Sequence, residues 1–270
     1  MFALVLSQGL LLETPRLQPH TLERLFGAEQ FATVPNFLGA DLVSALASDV
    51  HSLRSRLTPA AAASAAHGSV EWLSLLPAEP DRRDSDCALG LQGRECLLTL
   101  VQGLQQDIEA RAGFALDAAC ELKYAYYPCG GHYQRHIDGV QWEHGKVARE
   151  FSFLLYLNED WSPNDGGHLR VFDVGGGGGH LDVAPAAGTL VVFKSDVVPH
   201  EVRPTCARRL AIVGWFHRHV EPPPAVDEAA LTPLARALRQ HYRDQGQAIK
   251  LQTASDARCD PGELAPRIST

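Results

Sequence analysis

The sequence lacks most of what would tie it to a polyanion, a membrane or an extracellular scaffold. It has no basic surplus: 24 lysines and arginines against 32 aspartates and glutamates leave a formal charge of -8. Holding nucleic acid by bulk electrostatics needs a cationic surface that releases counterions, so no nucleic-acid partner is expected. No stretch approaches the ~18 uninterrupted apolar residues of a membrane span, and no membrane partner is expected. The apolar start, Phe2-Ala-Leu-Val-Leu and Leu10-Leu-Leu, carries neither a cationic segment nor a small-x-small cleavage site, as a signal peptide would. Six cysteines (Cys87, Cys96, Cys120, Cys129, Cys206 and Cys259) include no C-x-x-C pair and are too sparse to staple a secreted fold. Reduced thiols in a soluble, cytoplasmic chain are the expectation. There is no internal repeat.

What is present is enough apolar residue, 45% of 270, to bury one sizeable core. Phe31 to Phe37 reads as a short strand, and Asp41 as the cap of a helix with Leu42, Leu46, Val50, Leu53 and Leu57 at helical spacing. A second amphipathic helix carries Leu97, Val101, Leu104 and Ile108 and ends near Gly113. Thr58 to His67 is Ala-rich, and Asp81 to Asp86 is a charged surface loop.

From Ala119 the texture changes to short apolar or aromatic runs punctuated by Gly, Pro and Asp. Strands are expected over Glu121–Tyr127, Tyr133–His136, Glu150–Leu157, Gly167–Phe172, Thr189–Phe193, His200–Val202 and Arg209–Phe216. Seven or eight short antiparallel strands predict a double-stranded β-helix, or jelly roll, which protects its sheet edges by packing two sheets together. The fold class is thus mainly β with supporting helices (α+β). It divides into a support region over 1–118, a core over 119–220 and, after Glu221-Pro-Pro-Pro, an extension over 221–270 with a short helix through Leu231, Leu234, Leu238 and Tyr242. Gly175 to Gly179 reads as a hairpin turn rather than a phosphate loop, because no helix pattern follows it.

One constellation carries chemistry. In Tyr133-Gln-Arg-His-Ile-Asp138, His136 and Asp138 are two apart, so on an extended strand they share a face and can hold one ion. H-x-D alone is weak, since about one chance occurrence is expected, and His180-Leu-Asp182 is a second one. The third ligand separates the two. His200, in Val198-Pro-His-Glu-Val202, is far enough from Asp138 for several strands to bring the chain back across a barrel, whereas His180 lacks that room and follows the glycine turn directly. Two imidazoles and one carboxylate leave about three coordination positions open, which suits Fe(II) binding a chelating cosubstrate and dioxygen. A structural zinc site would be closed. The cosubstrate's distal carboxylate needs a fixed cation, best an arginine fork. Arg208 and Arg209 both offer one, on opposite strand faces; Arg209 shares parity with Ala211, Val213 and Trp215, and parity does not say which face is inside.

These segments, with Tyr127-Pro128, Tyr156-Leu-Asn-Glu-Asp-Trp161, Gly166-Gly-His-Leu-Arg-Val-Phe172 and Pro199-His-Glu-Val-Arg-Pro204 leading to Arg209, resemble the 2-oxoglutarate oxygenases of the prolyl 4-hydroxylase type. They are most similar to the oxygen-sensing prolyl hydroxylases and their bacterial relatives. The resemblance covers roughly Glu121 to Phe216, with a weaker echo in Phe31 to Gly39. It implies His136, Asp138 and His200 as iron ligands and Arg209 as partner of the 2-oxoglutarate distal carboxylate. It further implies hydroxyls of Tyr127 and Tyr156 near the cosubstrate, and Leu169 and Trp215 as apolar walls. The loop between Tyr127 and His136 is one residue shorter than in the oxygen-sensing enzymes. The implied cofactors are Fe(II), 2-oxoglutarate as cosubstrate and O2, with ascorbate as a further candidate. The implied reaction decarboxylates 2-oxoglutarate to succinate and CO2 and hydroxylates a C–H bond.

Gly139 to Arg149 is the expected substrate-facing lid. A prolyl residue of a protein or peptide is the leading substrate. A free amino acid or other small metabolite is the alternative within the same chemistry, and a non-catalytic jelly-roll binding module the alternative outside it. Nucleic-acid demethylation is a remote fourth. His132, His168, His217 and His219 are left as surface or loop residues, and Arg203 and Arg208 as solvated charges.

Overall fold

The last strand of the core shows how this sequence builds two cores from one sheet. Along it Leu210, Ile212 and Phe216 project to one face and Ala211, Val213 and Trp215 to the other, and all six are buried, because successive side chains of a strand point to opposite sides. The computed structural model describes residues 15–59, 69–75, 88–118, 120–139, 147–173, 176 and 178–219, with strand segments at 3–5, 11–13 and 141–142.

In chain order the elements are β1 (Ala3–Val5), β2 (Leu11–Glu13), α1 (Pro19–Phe26), β3 (Phe31–Val34), α2 (Ala40–Ser52), β4 (Thr58–Pro59), β5 (Glu71–Ser74), α3 (Ala88–Ala112), β6 (Cys120–Tyr127), β7 (Tyr133–His136), β8 (Gln141–Trp142), β9 (Val147–Tyr156), β10 (Leu169–Phe172), β11 (His180–Val183), β12 (Leu190–Lys194), β13 (His200–Val202) and β14 (Arg209–His219). The larger sheet runs β3-β12-β9-β14-β6-β5-β4, with β8 against β9, and the smaller runs β11-β10-β13-β7. Neighbours are antiparallel. This is the expected jelly roll. One face of the larger sheet meets the smaller sheet in a core that includes Tyr127, Tyr156, Leu169, Val202, Val213 and Trp215. Its other face, with Tyr124, Phe153, Leu155, Val192, Ile212 and Phe216, packs on Leu25 of α1, Leu46 and Val50 of α2, and Leu97, Leu104 and Ile108 of α3.

The helices brace the sheet as expected, with three differences. The first turn of α2 begins after Gly39 without a side-chain cap, and Asp41 lies inside it, where the helix dipole favours an anion. The helix ends at Ser52, so Leu53 and Leu57 are buried beyond its end rather than on its stripe. Helix α1 was not expected: its eight residues are too few to display a periodic stripe, although Pro19 opens it, as proline does at a first turn. Helix α3 closes at Gly113, whose φ of 73° and N–H to Glu109 O at 3.0 Å form the left-handed cap the sequence implied.

The division at residue 118 is corrected. The described residues up to 219 form one compact unit, because β3 pairs with β12 and β5 with β6, which threads the support region into the core's own sheet. The helix expected through Leu231 to Tyr242 lies outside the described residues, as do the loop Asp81 to Asp86 and the Ala-rich 60–67. The strands on either side of the glycine tract pair, with Phe172 opposite His180; residues 174, 175 and 177 lie outside the described part. No helix of the described residues is long and apolar enough to cross a membrane.

Candidate active site

Strand pairing assembles the site from distant parts of the chain. His136, last in β7, and His200, first in β13, are register partners. Tyr127 and Arg209 are partners across β6 and β14, and Tyr156 partners Ala211 across β9 and β14. Leu169 opens β10 opposite Val202. Asp138 lies just past the end of β7 rather than on it.

His136, Asp138 and His200 bring one donor atom each to within 4.8 Å of one another, and they are the only such group among the described residues. His200 Nδ1 is 3.0 Å from Val198 O, and His136 Nδ1 is 2.7 Å from Gln134 O. A carbonyl only accepts, so each Nδ1 carries the proton and each Nε2 keeps its lone pair. Both Nε2 atoms face Asp138, that of His136 at 3.3 Å from Oδ1 and that of His200 at 3.7 Å from Oδ2. Burial pushes the His200 imidazole below its ordinary range, which holds it neutral as a ligand must be.

The Asp138 carboxylate, 7% exposed, is fixed by its other side. Its Oδ2 accepts from Ser152 Oγ at 2.8 Å and Trp215 Nε1 at 2.9 Å, and Ser152 is joined at 2.8 Å to Ser195. Burial alone would raise its pKa, but the His200 and His136 rings, whenever they are protonated, and the Trp215 N–H outweigh it and hold the group well below the usual carboxylate range. With Oδ2 occupied, Oδ1 remains for a metal. One carboxylate oxygen and two imidazole nitrogens on one side of an ion leave the far side open, so the residues fit a mononuclear centre with exchangeable positions.

Arg209 is 1% exposed. Its Nε donates to Gly167 O at 2.8 Å, and its guanidinium carbon lies 4.8 Å from the Tyr127 ring centre and 4.9 Å from that of Tyr156. Both terminal nitrogens and the Tyr156 hydroxyl are buried without a hydrogen-bond partner. A buried guanidinium edge left empty is costly, and a planar carboxylate satisfies it with two parallel bonds. Burial raises the Tyr127 and Tyr156 phenols despite the opposing Arg209 charge, so both stay protonated and able to donate.

A cavity of about 400 Å³ reaches the triad, lined also by Tyr127, Leu169 and Trp215, by Trp72 and Tyr133, and at its mouth by the exposed Ile137. Of the eight residues expected at the site, His136, Asp138, His200, Tyr127, Leu169 and Trp215 line this cavity, whereas Arg209 and Tyr156 are outside its lining, with Arg209 against the rings of Tyr127 and Tyr156. The competing His180 and Asp182 face solvent, with Asp182 paired to Arg170. Arg208 is exposed and Arg203 pairs with Glu201. His217 is corrected: it is not a surface or loop residue but sits half-buried on β14, 3.1 Å from Glu121. Sequence reasoning missed Ser152 and Ser195. The signal for Ser152 was its parity with Leu154 and Tyr156 on β9. Trp215 was expected only as a wall and is also a donor. Of the expected lid, Gln141–Trp142 pairs with Val147 and Ala148; residues 140 and 143–146 lie outside the described part.

A jelly roll that presents two histidines and a carboxylate to a cavity, with an unsatisfied arginine buried beside it, defines a mononuclear metal enzyme that takes an acidic cosubstrate. Residues 122–217 match the 2OG-Fe(II) oxygenase superfamily model. A crystal structure of a Pseudomonas putida prolyl-4-hydroxylase is 32% identical with a TM-score of 0.62, over 74% of this chain and 98% of that one. The chain belongs to the 2OG-Fe(II) oxygenase superfamily, and its cofactor set is Fe(II), 2-oxoglutarate and O2. Among curated proteins, the hypoxia-inducible factor prolyl hydroxylase of Caenorhabditis elegans is 28% identical over 79% of this chain and 30% of its own length. The human prolyl hydroxylase EGLN3 is 32% identical over 47% of this chain and 53% of its own length. The chain thus spans from about a third to half of these two relatives.

Proposed function

We propose that this chain hydroxylates a prolyl residue of a protein or peptide, with His136, Asp138 and His200 holding Fe(II) and Arg209 holding the distal carboxylate of 2-oxoglutarate. The observation that carries the site assignment is the empty, buried edge of Arg209, set against the rings of Tyr127 and Tyr156, which share a core with Leu169 and Trp215. Bound there, iron and 2-oxoglutarate supply the oxidising chemistry, in which O2 is consumed, succinate and CO2 leave and one oxygen atom enters a C–H bond. The chain's own residues bind and orient. The two Nδ1–H···O=C bonds fix the imidazole rings, and Ser152 and Trp215 hold Asp138 to one free oxygen. The Tyr156 and Tyr127 hydroxyls can donate to cosubstrate oxygens, and Leu169 and Trp215 keep water from its carbon chain. The prolyl substrate is supported by the names of the relatives above, and a cavity open at Ile137, 47% exposed, suits a side chain presented by a polypeptide.

Ascorbate, as a reductant that keeps iron in the Fe(II) state, belongs to the same proposal. So does a cytoplasmic location, which the four free cysteines of the described residues support through the reducing compartment they fit.

The test supplies Fe(II) and 2-oxoglutarate to the anaerobic protein, admits oxygen and follows succinate with and without proline-containing polypeptides. Asp138→Ala and Arg209→Ala serve as controls. Succinate that both substitutions abolish, together with an oxygen atom added to a prolyl residue, is expected. Stimulation by a free amino acid instead would move the substrate to small metabolites. Absence of both succinate and bound iron would leave a binding module.

A further inference from the structure

Cys129, in the turn after β6, and Cys206, in the turn before β14, meet at the end of the two strands that carry Tyr127 and Arg209. The Cys129 thiol donates to the carbonyl oxygen of Cys206, with Sγ 3.0 Å from that oxygen, so one sulfur already touches the other residue's backbone. Both residues are exposed and both thiols are free. The two turns are tied together by Gly130 N–H to Thr205 O at 2.7 Å and Thr205 N–H to Gly131 O at 3.0 Å. Disulfides need Cα atoms about 5.5–6 Å apart with Cβ atoms turned toward each other; the Sγ–O contact and the two backbone bonds hold the residues side by side, and closing the bond requires the Cys129 side chain to turn from the Cys206 carbonyl to its sulfur. The other described cysteines are poor competitors. Cys96 is buried, and burial lifts the Cys120 thiol to about 11, which starves it of thiolate.

We propose that Cys129 and Cys206 are a reversible thiol–disulfide pair, oxidised by hydroperoxides, that weakens capture of 2-oxoglutarate when closed. One thiol is oxidised by hydrogen peroxide to a sulfenic acid, releasing water as the O–O bond breaks. The second sulfur then displaces the sulfenic hydroxyl, which leaves with a proton as a second water, and the S–S bond forms. Two thiols and one peroxide give one disulfide and two waters, the sulfurs losing the two electrons that the peroxide oxygens gain. A dithiol reverses the bond by exchange. Closure exchanges a hydrogen bond to the Cys206 carbonyl for a bond to its side chain, which draws the 205–207 turn toward Cys129. Thr205, in that turn, bonds Asp165 O at 3.1 Å and lies where a side-chain carbon added at Gly167, the residue whose carbonyl steadies Arg209, would come within 3.2 Å of it. Arg209 begins three residues after Cys206. The effect on 2-oxoglutarate rests on the assignment of Arg209 made above; the cross-link does not.

The full chain, freed of metal by chelation, is treated with a small excess of hydrogen peroxide, blocked with N-ethylmaleimide and digested by trypsin without reductant. Trypsin spares the Arg203–Pro204 bond, so the expected product joins Tyr124–Arg135 to Ser195–Arg208. It should disappear with dithiothreitol and in Cys129→Ser. The rise in Tm given by 2-oxoglutarate with Mn(II) should need several-fold more 2-oxoglutarate in the oxidised wild type, recover on reduction, and be insensitive to peroxide in Cys129→Ser. No such peptide pair would overturn the proposal, and a cross-link that leaves 2-oxoglutarate binding unchanged would overturn the switch. If the reduced protein itself bound no 2-oxoglutarate, the cosubstrate reading would fall while the peptide map still decided the pair.

Discussion

Trp215 donates its indole N–H to the same Asp138 oxygen that accepts the Ser152 hydroxyl, at 2.9 and 2.8 Å. Two donors on Oδ2 leave one carboxylate oxygen for a metal and fix the plane in which it is presented. A carboxylate on a loop just past a strand end is thereby tied to two other strands, β9 and β14.

Removing either donor should loosen the metal without removing a ligand. Trp215→Phe keeps an aromatic wall and loses the N–H, and Ser152→Ala loses the hydroxyl and its link to Ser195. Each should weaken Fe(II) or Mn(II) binding by about tenfold, at the low end of what supporting partners of metal ligands cost. Titration calorimetry with Mn(II) checks it, and unchanged affinity in both variants would remove the positioning role.

Arg209 should matter more to the cosubstrate than to the fold. Arg209→Met removes two buried nitrogens that lack partners and leaves the Gly167 carbonyl without its donor, so the opposing costs bring the unliganded stability to within about 1 kcal/mol of wild type. In the wild type, 2-oxoglutarate at a hundred times its Kd should stabilise by about 2.7 kcal/mol. Thermal unfolding with Mn(II) and 2-oxoglutarate should show that gain in the wild type and none in Arg209→Met.

The parts of this architecture that were legible in sequence are those with a period. Strands β7 and β13 begin and end where their pattern does, and the stripe of α3 is the buried one. Illegible were the parts where both sides of an element are covered. On β14 both parities are buried, so alternation could not choose between Arg208 and Arg209 until a family resemblance did. Asp49 on α2 is fully buried, bound to Tyr124 Oη at 2.8 Å and to Arg94. Its partners lie 75 and 45 residues away, and no local pattern reports them. Ser152 is the same case at the site: a polar residue in an apolar strand, with its reason for being there on another strand.

Glu121 gives the stability an acid limb independent of the metal. Burial raises its carboxyl, but the His217 ring and the Arg149 guanidinium, whose Nε and Nη2 each lie 2.7 Å from it, overcome that and hold it at about 2. The folded pKa lies below the unfolded one, so the stabilisation is present above the unfolded value, near 4.5, and is lost as pH falls from there to about 2. The full shift would amount to about 3–4 kcal/mol, and solvent screening of this partly exposed group leaves about 1–2 kcal/mol of it. Urea unfolding in chelator should show stability falling over that window in the wild type. In Glu121→Gln the fall should be flatter and the neutral-pH stability lower.

The last prediction separates backbone strain from damage to the site, using two glycines of nearly equal positive φ. Gly167 has φ of 70° and Gly178 φ of 69°, a left-handed region that costs an alanine about 1–2 kcal/mol. A Cβ at Gly178 meets nothing within 4 Å, whereas one at Gly167 would lie 3.0 Å from Arg209 Cδ and 3.2 Å from Thr205 Cβ. Both Gly→Ala variants should therefore lose comparable stability from strain. Only Gly167→Ala should also displace Arg209 and raise the KM for 2-oxoglutarate several-fold, with Gly178→Ala keeping the wild-type value. An equal KM in the two variants would mean that Arg209 tolerates the methyl group, and that Gly167 serves the turn alone.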